Sequence, residues 1–149
     1  MRLQMLVLGV VFLAPAYGQT PPTATEAFNL RIKCKEMVDE KTQTMTEDFY
    51  RKNAPELDFF FSSSRYDPRA NRCYGEFHVK QKYRTGPTKE RERRILYDMQ
   101  VDDLMATEEI TDSKRYGMVY DHSHKSMTNA NSGWDDTDAY MNEMMEDKK

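Results

Sequence analysis

The stretch Cys73-Tyr74-Gly75-Glu76-Phe77-His78-Val79-Lys80-Gln81-Lys82 decides the fold. Cys73, Gly75, Phe77, Val79 and Gln81 fall on one side of an extended chain, and that side is mainly apolar. Tyr74, Glu76, His78, Lys80 and Lys82 fall on the other, polar and charged side. A period of two with one apolar side predicts a strand covered on that side. Upstream, Leu30, Cys34, Met37, Val38, Met45 and Phe49 recur at steps of three, four or seven, the spacing of one helix face. Cys34 lies on that helical stripe and Cys73 on the apolar side of the strand. Two independent periodicities aim both cysteines at one core, and the chain has no others. A Cys34–Cys73 disulfide joining helix to sheet is therefore expected. Closing a loop of about 40 residues, it stabilises by about 4 kcal/mol in chain-entropy terms.

Thr23 and Glu26 have the spacing of a capping box for this helix, with Thr25 an alternative N-cap. Asn53-Ala54-Pro55 ends it. Thr42, Thr44 and Thr46 are poor helix formers and predict fraying or a bend. Leu57–Ser64, with three phenylalanines and three serines, reads as β-prone, and Arg65–Arg72 as turn-rich through Asp67, Pro68 and Asn71. Past the central strand, Thr85-Gly86-Pro87-Thr88 is a break and Lys89–Arg94 a charge run. Ile95–Val101 reads as a third strand, Asp102-Asp103 as a turn and Leu104–Thr107 as a short fourth strand. Met118–Tyr120 fits a fifth strand or ordered coil, and Ser126–Gly133 a loop. Asp135, Asp136 or Thr137 then caps a last helix bearing Tyr140, Met141, Met144 and Met145. The expected fold class is α+β: an N-terminal helix on an antiparallel meander of roughly three to five strands, one sheet face covered, then a short C-terminal helix.

Arg65-Tyr66-Asp67-Pro68-Arg69-Ala70-Asn71-Arg72-Cys73 resembles a His-Tyr-Asn-x-x-x-Asn-x-Cys pattern of small exported bacterial proteins of unassigned function. In them the pattern follows a helix with an earlier cysteine and precedes a strand. Leu96-Tyr97-Asp98 is similar to an element of their third strand. Here Arg65 stands in place of the His and Asp67 in place of the Asn. The resemblance spans residues 26–107, and it implies a fold and an exported location but no reaction.

The beginning of the chain agrees with export. Met1-Arg2, the apolar run Met5–Ala14, and Ala16-Tyr17-Gly18 before Gln19 fit a cleavable secretory signal over residues 1–18. The run is too short to cross a bilayer of about 30 Å as a helix. Gln19–Thr25 is expected to be a disordered leader and residues 26–149 a single domain. The expected location is periplasmic or secreted, without stable membrane insertion after cleavage. Such oxidising compartments favour a disulfide. The 149 residues carry 22 Lys and Arg against 25 Asp and Glu, a formal −3. Cleavage removes only Arg2, leaving 21 against 25, or −4. That balance argues against a nucleic-acid partner. With 38% hydrophobic residues the chain can build one modest core. It is too small for a two-domain cofactor enzyme, and no cofactor is expected.

Candidate sites are few. Lys80, Lys82, Arg84, Lys89, Arg91, Arg93 and Arg94, offset by Glu90 and Glu92, give a hairpin of net +5. This is the expected contact for an unknown protein or an anionic envelope ligand, bound without catalysis. Residues 135–149 hold six acids and two lysines, so the two regions can attract. The alternative is a Cu- or Zn-binding protein using His122 and His124, with Met118, Met127, Met141, Met144 and Met145 as soft ligands. For acid–base chemistry, the nearest grouping is Tyr74, Glu76 and His78 on one strand side. Gly-x-Ser-x-Gly, a phosphate-cradling glycine loop and His-Glu-x-x-His are all absent.

Overall fold

The computed structural model describes residues 22–51, 56–84, 86–121, 128–130 and 133–146. In chain order these form α1 (Ala24–Arg51), β1 (Glu56–Asp67), β2 (Arg72–Lys82), β3 (Glu90–Asp98), β4 (Asp103–Thr111), β5 (Lys114–Asp121), β6 (Thr128–Ala130) and α2 (Trp134–Met145). The strands make one antiparallel sheet in sequential order, five long strands and a three-residue sixth. The α+β meander with a helix before and after it is the expected class.

The capping box forms as its spacing predicts. The Thr23 N–H and hydroxyl both donate to Glu26 Oε2, at 2.8 and 2.7 Å, and the Glu26 N–H donates to Thr23 Oγ1 at 3.3 Å. Helix therefore begins at Ala24, inside the segment expected to be leader. It also runs without a break through Thr42, Thr44 and Thr46. Their hydroxyls donate back to the carbonyls of Val38, Glu40 and Thr42, which satisfies the polar groups within the helix itself.

One face of the sheet packs on α1. Cys34 and Val38 are buried there with Tyr66, Cys73, Phe77, Ile95 and Met99. The Cys34–Cys73 disulfide is present, its Cα atoms 5.4 Å apart and 39 positions apart in sequence. Two residues on, Gly75 allows the helix its close approach. A Cβ at that position would lie 2.7 Å from Met99 Sδ and 2.9 Å from Val38 Cγ2. Farther along, the Ser62 hydroxyl donates to Thr42 Oγ1 at 2.8 Å, and Ser62 is the register partner of Phe77. These three contacts make α1 run in the direction of β2, over β1 and β2.

The opposite face packs on α2. Met141 is buried against Tyr74, Leu96 and Ala106, and Met144, Met145 and Tyr140 pack around them. Gly117 marks this approach as Gly75 marks the other, since a Cβ there would lie 2.6 Å from Thr137 Oγ1. The architecture is thus three layers, helix, sheet and helix, and corrects the expectation that one face would be covered. Tyr74 and Glu76, on the side read as polar, are buried for this reason.

Several boundaries also move. Arg65, Tyr66 and Asp67 belong to β1, and the turn is confined to 68–71, where Asn71 takes φ 51° and Asp67 Oδ1 accepts from the Arg69 N–H at 2.9 Å. The charge run 90–94 is strand, and β3 ends at Asp98. β4 and β5 are longer than expected, joined at Asp112 and Ser113, whose φ values of 47° and 70° suit a two-residue hairpin turn. Thr128–Ala130, within the expected loop, pairs with Val119–Asp121 as β6. Gly133 rather than an acid holds the N-cap position of α2, with Asp135 and Asp136 in its first turn.

Candidate functional site

Strand alternation divides the basic run between the two faces of the sheet. Val79 pairs with Arg93 and Gln81 with Arg91, on the α1 side, while Lys80, Lys82 and Arg94 stand on the α2 side. Each of these three α2-side cations meets an acid. Lys80 pairs with Glu90, and Lys82 Nζ lies 2.9 Å from Asp58 Oδ1. Arg94 is held by Glu76, by Asp138 Oδ1 at 2.7 Å and by Asn142 Oδ1 at 2.7 Å, with Glu108 Oε2 at 3.6 Å. On the α1 side, Arg91 Nε donates to Glu109 Oε1 at 2.9 Å. Arg93 makes one long bond, Nη2 to Gln81 Oε1 at 3.4 Å, and its buried Nε has no acceptor among the described residues. Arg84 lies in the connection after β2, and Lys89 Nζ donates to the Gly86 carbonyl at 3.1 Å. The seven cations are not one patch.

The Arg94 cluster contains the most buried charged residue among the described residues. Glu108 is only 2% exposed and its Oε1 has no partner among the described residues. Burial pushes its carboxyl above the usual range, the Arg94 charge pulls back only in part, and Asp138 adds to the rise. Glu76 ends on the other side of its ordinary value. Burial pushes it up as well, but bonds from His78 and Arg94, with the charge of Arg94, outweigh that and hold it low. His78 Nε2 lies 3.2 Å from Glu76 Oε1. Tyr74, the third of the acid–base grouping, is buried in the α2 core, and burial raises its hydroxyl. The chemistry of this cluster is to fix α2 on β3: Asp138 and Asn142 belong to α2, and Arg65 donates to the Met144 carbonyl from β1.

An aromatic patch escaped the sequence reading. Phe59 and Phe61 are exposed on β1, an edge strand, and Phe61 stacks on His78 with ring centroids 4.1 Å apart. Phe59 meets Phe61 edge-on at 5.1 Å. The signal was available in Phe59-Phe60-Phe61: alternation sends Phe60 inward and both neighbours outward.

His122, His124 and Met127 lie outside the described residues. Of the methionines considered with them, Met141, Met144 and Met145 pack into the α2 core, and Met118, paired with Thr107, stands on the opposite side of the sheet. Among the described residues no three His, Cys, Asp or Glu side chains gather to hold a metal ion. No described helix is long and apolar enough to cross a membrane. The chain matches no protein family, no curated protein and no solved structure.

Proposed function

We propose that this chain is a small exported module, stapled by Cys34–Cys73, that acts without catalysis by binding an anionic partner surface through Arg93, with Arg91 beside it. The observation that carries the reading is the contrast within the basic hairpin. Lys80, Lys82, Arg91 and Arg94 have their charges answered by acids of the same molecule, whereas Arg93, beside Arg91 on the α1 side, has a single long bond to a neutral amide. A half-buried guanidinium so poorly matched favours a carboxylate or phosphate, whose paired oxygens fit its planar fork. Export is supported by the disulfide, which persists in oxidising compartments, and by the signal-like residues 1–18.

The test is capture of partners from envelope extract at about 0.05 and 0.3 M salt. Arg91→Gln with Arg93→Gln should weaken capture and flatten its salt dependence, while Lys80→Gln with Lys82→Gln should not. Equal capture by both variants would remove the reading. Mass spectrometry of secreted material should find Gln19 as the first residue and no free thiol.

A further inference from the structure

We propose that the outer side of α1 in a second copy of this chain covers the open half of the α1-side face, making a two-fold dimer. The inference rests on the functional reading above, in that it names the partner of the Arg91 and Arg93 surface. Among the described residues α1 lies over β1 and β2, and no other element covers β4 and β5 on that side. What is left open is an ordered surface. One cross-strand row runs from Ile95, itself buried under α1, out to Thr107 and Met118, and the next is Arg93, Glu109 and Tyr116. Beyond them come Arg91 and Lys114, so three cations face one acid at this end. At the other end, in the turn between β3 and β4, Val101 is 61% exposed.

The helix supplies the complement. At about 100° per residue, Phe28, Ile32, Glu36, Asp39 and Gln43 project from the side of α1 away from Cys34 and Val38. Phe28 is 61% exposed and Ile32 45%, two large apolar side chains one turn apart with no core to fill. After them the outer side turns acidic, with Glu36, Asp39 and Glu47 against Lys35. Order along the helix matters here. Cys34 sits at Cys73 and Val38 at Gly75, so Phe28 and Ile32 lie toward the Val101 end and Glu47 toward the Arg91 and Arg93 end. A two-fold axis parallel to α1 preserves that order. It brings the partner's apolar turn to Val101 and its acids to the cations, and it closes, because each copy gives one helix and receives one. Phe28, Ile32, Val101 and Tyr116 are four of the six large apolar side chains exposed among the described residues, and this single contact covers them.

The experiment is sedimentation of the oxidised protein from about 1 µM to 1 mM. A reversible dimer weakened by salt is expected. Ile32→Lys and Val101→Lys, both at exposed positions, should each weaken it about tenfold or more by removing apolar burial. Arg93→Glu should weaken it too, and Phe59→Ser, on the other face, should leave it unchanged. Circular dichroism and thiol titration confirm that each variant is folded and bridged. A monomer throughout the range would overturn the inference, as would a dimer that resists Ile32→Lys and Val101→Lys or breaks with Phe59→Ser. If the protein is monomeric but still loses envelope capture with Arg91→Gln and Arg93→Gln, a different partner occupies the face. The dimer then falls and the functional reading stands.

Discussion

Arg94 Nη1 donates to Asp138 Oδ1 across 2.7 Å, and that bond joins the middle of β3 to α2. The guanidinium is shared with Glu76 and Asn142, so one side chain ties two strands and a helix. Arg93, the preceding residue, has no such company on the other face. The same residue type therefore serves cohesion on one side of the sheet and stands poorly matched on the other.

Removing Arg94 should loosen α2 before it unfolds the sheet. Arg94→Gln leaves Glu76 and Glu108 buried without their cation, which costs about 3–5 kcal/mol when a buried pair loses one partner. Urea denaturation should show that loss. Amide exchange should show its origin, with protection falling first in Trp134–Met145 and less around Cys73, where the disulfide and α1 persist.

Glu108→Gln should do the reverse at neutral pH. Burial, first of the causes, holds the Glu108 carboxyl above its unfolded value, so the folded state binds this proton more tightly. Its contribution to stability is full below the unfolded pKa and is lost as pH rises through the folded one. Gln never ionises and avoids that loss, so the variant should gain about 1 kcal/mol or more at pH 7 and little at pH 4. Glu76 has the opposite sign. Its lowered carboxyl stabilises above the unfolded pKa and stops doing so as pH falls through the folded value, so Glu76→Gln should destabilise at pH 7. Melting temperatures against pH for both variants decide the point. Parallel profiles would show that the two carboxylates are not distinguished by their surroundings.

Local periodicity explains why some of this was legible in the sequence and some was not. Along β2, Cys73, Gly75, Phe77 and Val79 alternate with polar residues, and the α1 stripe repeats at helical spacing, so both halves of the disulfide could be placed. β3 carries Glu90-Arg91-Glu92-Arg93-Arg94, which has no apolar alternation to betray a strand. Its order comes from pairing across strands: Lys80 faces Glu92, Lys82 faces Glu90, Arg93 faces Glu109 and Arg94 faces Glu108. A linear count of charge merges residues that alternation sends to opposite faces. The side taken by α2 is likewise not written in its own spacing. It is fixed by Met141 meeting Leu96 and Ala106, and by Gly117 making room for Thr137, contacts between residues far apart in the chain.

Gly75 offers a test of the α1 contact that leaves the charges alone. Gly75→Ala places a methyl 2.7 Å from Met99 Sδ and 2.9 Å from Val38 Cγ2. The Met99 thioether is flexible and can turn aside, but Val38 is held on a helix tied to the same strand by Cys34–Cys73. The helix must therefore shift, and overpacking of this kind costs about 1–3 kcal/mol. Val38→Ala alone also destabilises, by leaving a cavity. Combined, the two changes should cost less than their sum, because the new methyl occupies space that the valine vacates. A double-mutant cycle in urea measures the coupling. Full additivity would mean that α1 does not bear on β2 at Gly75.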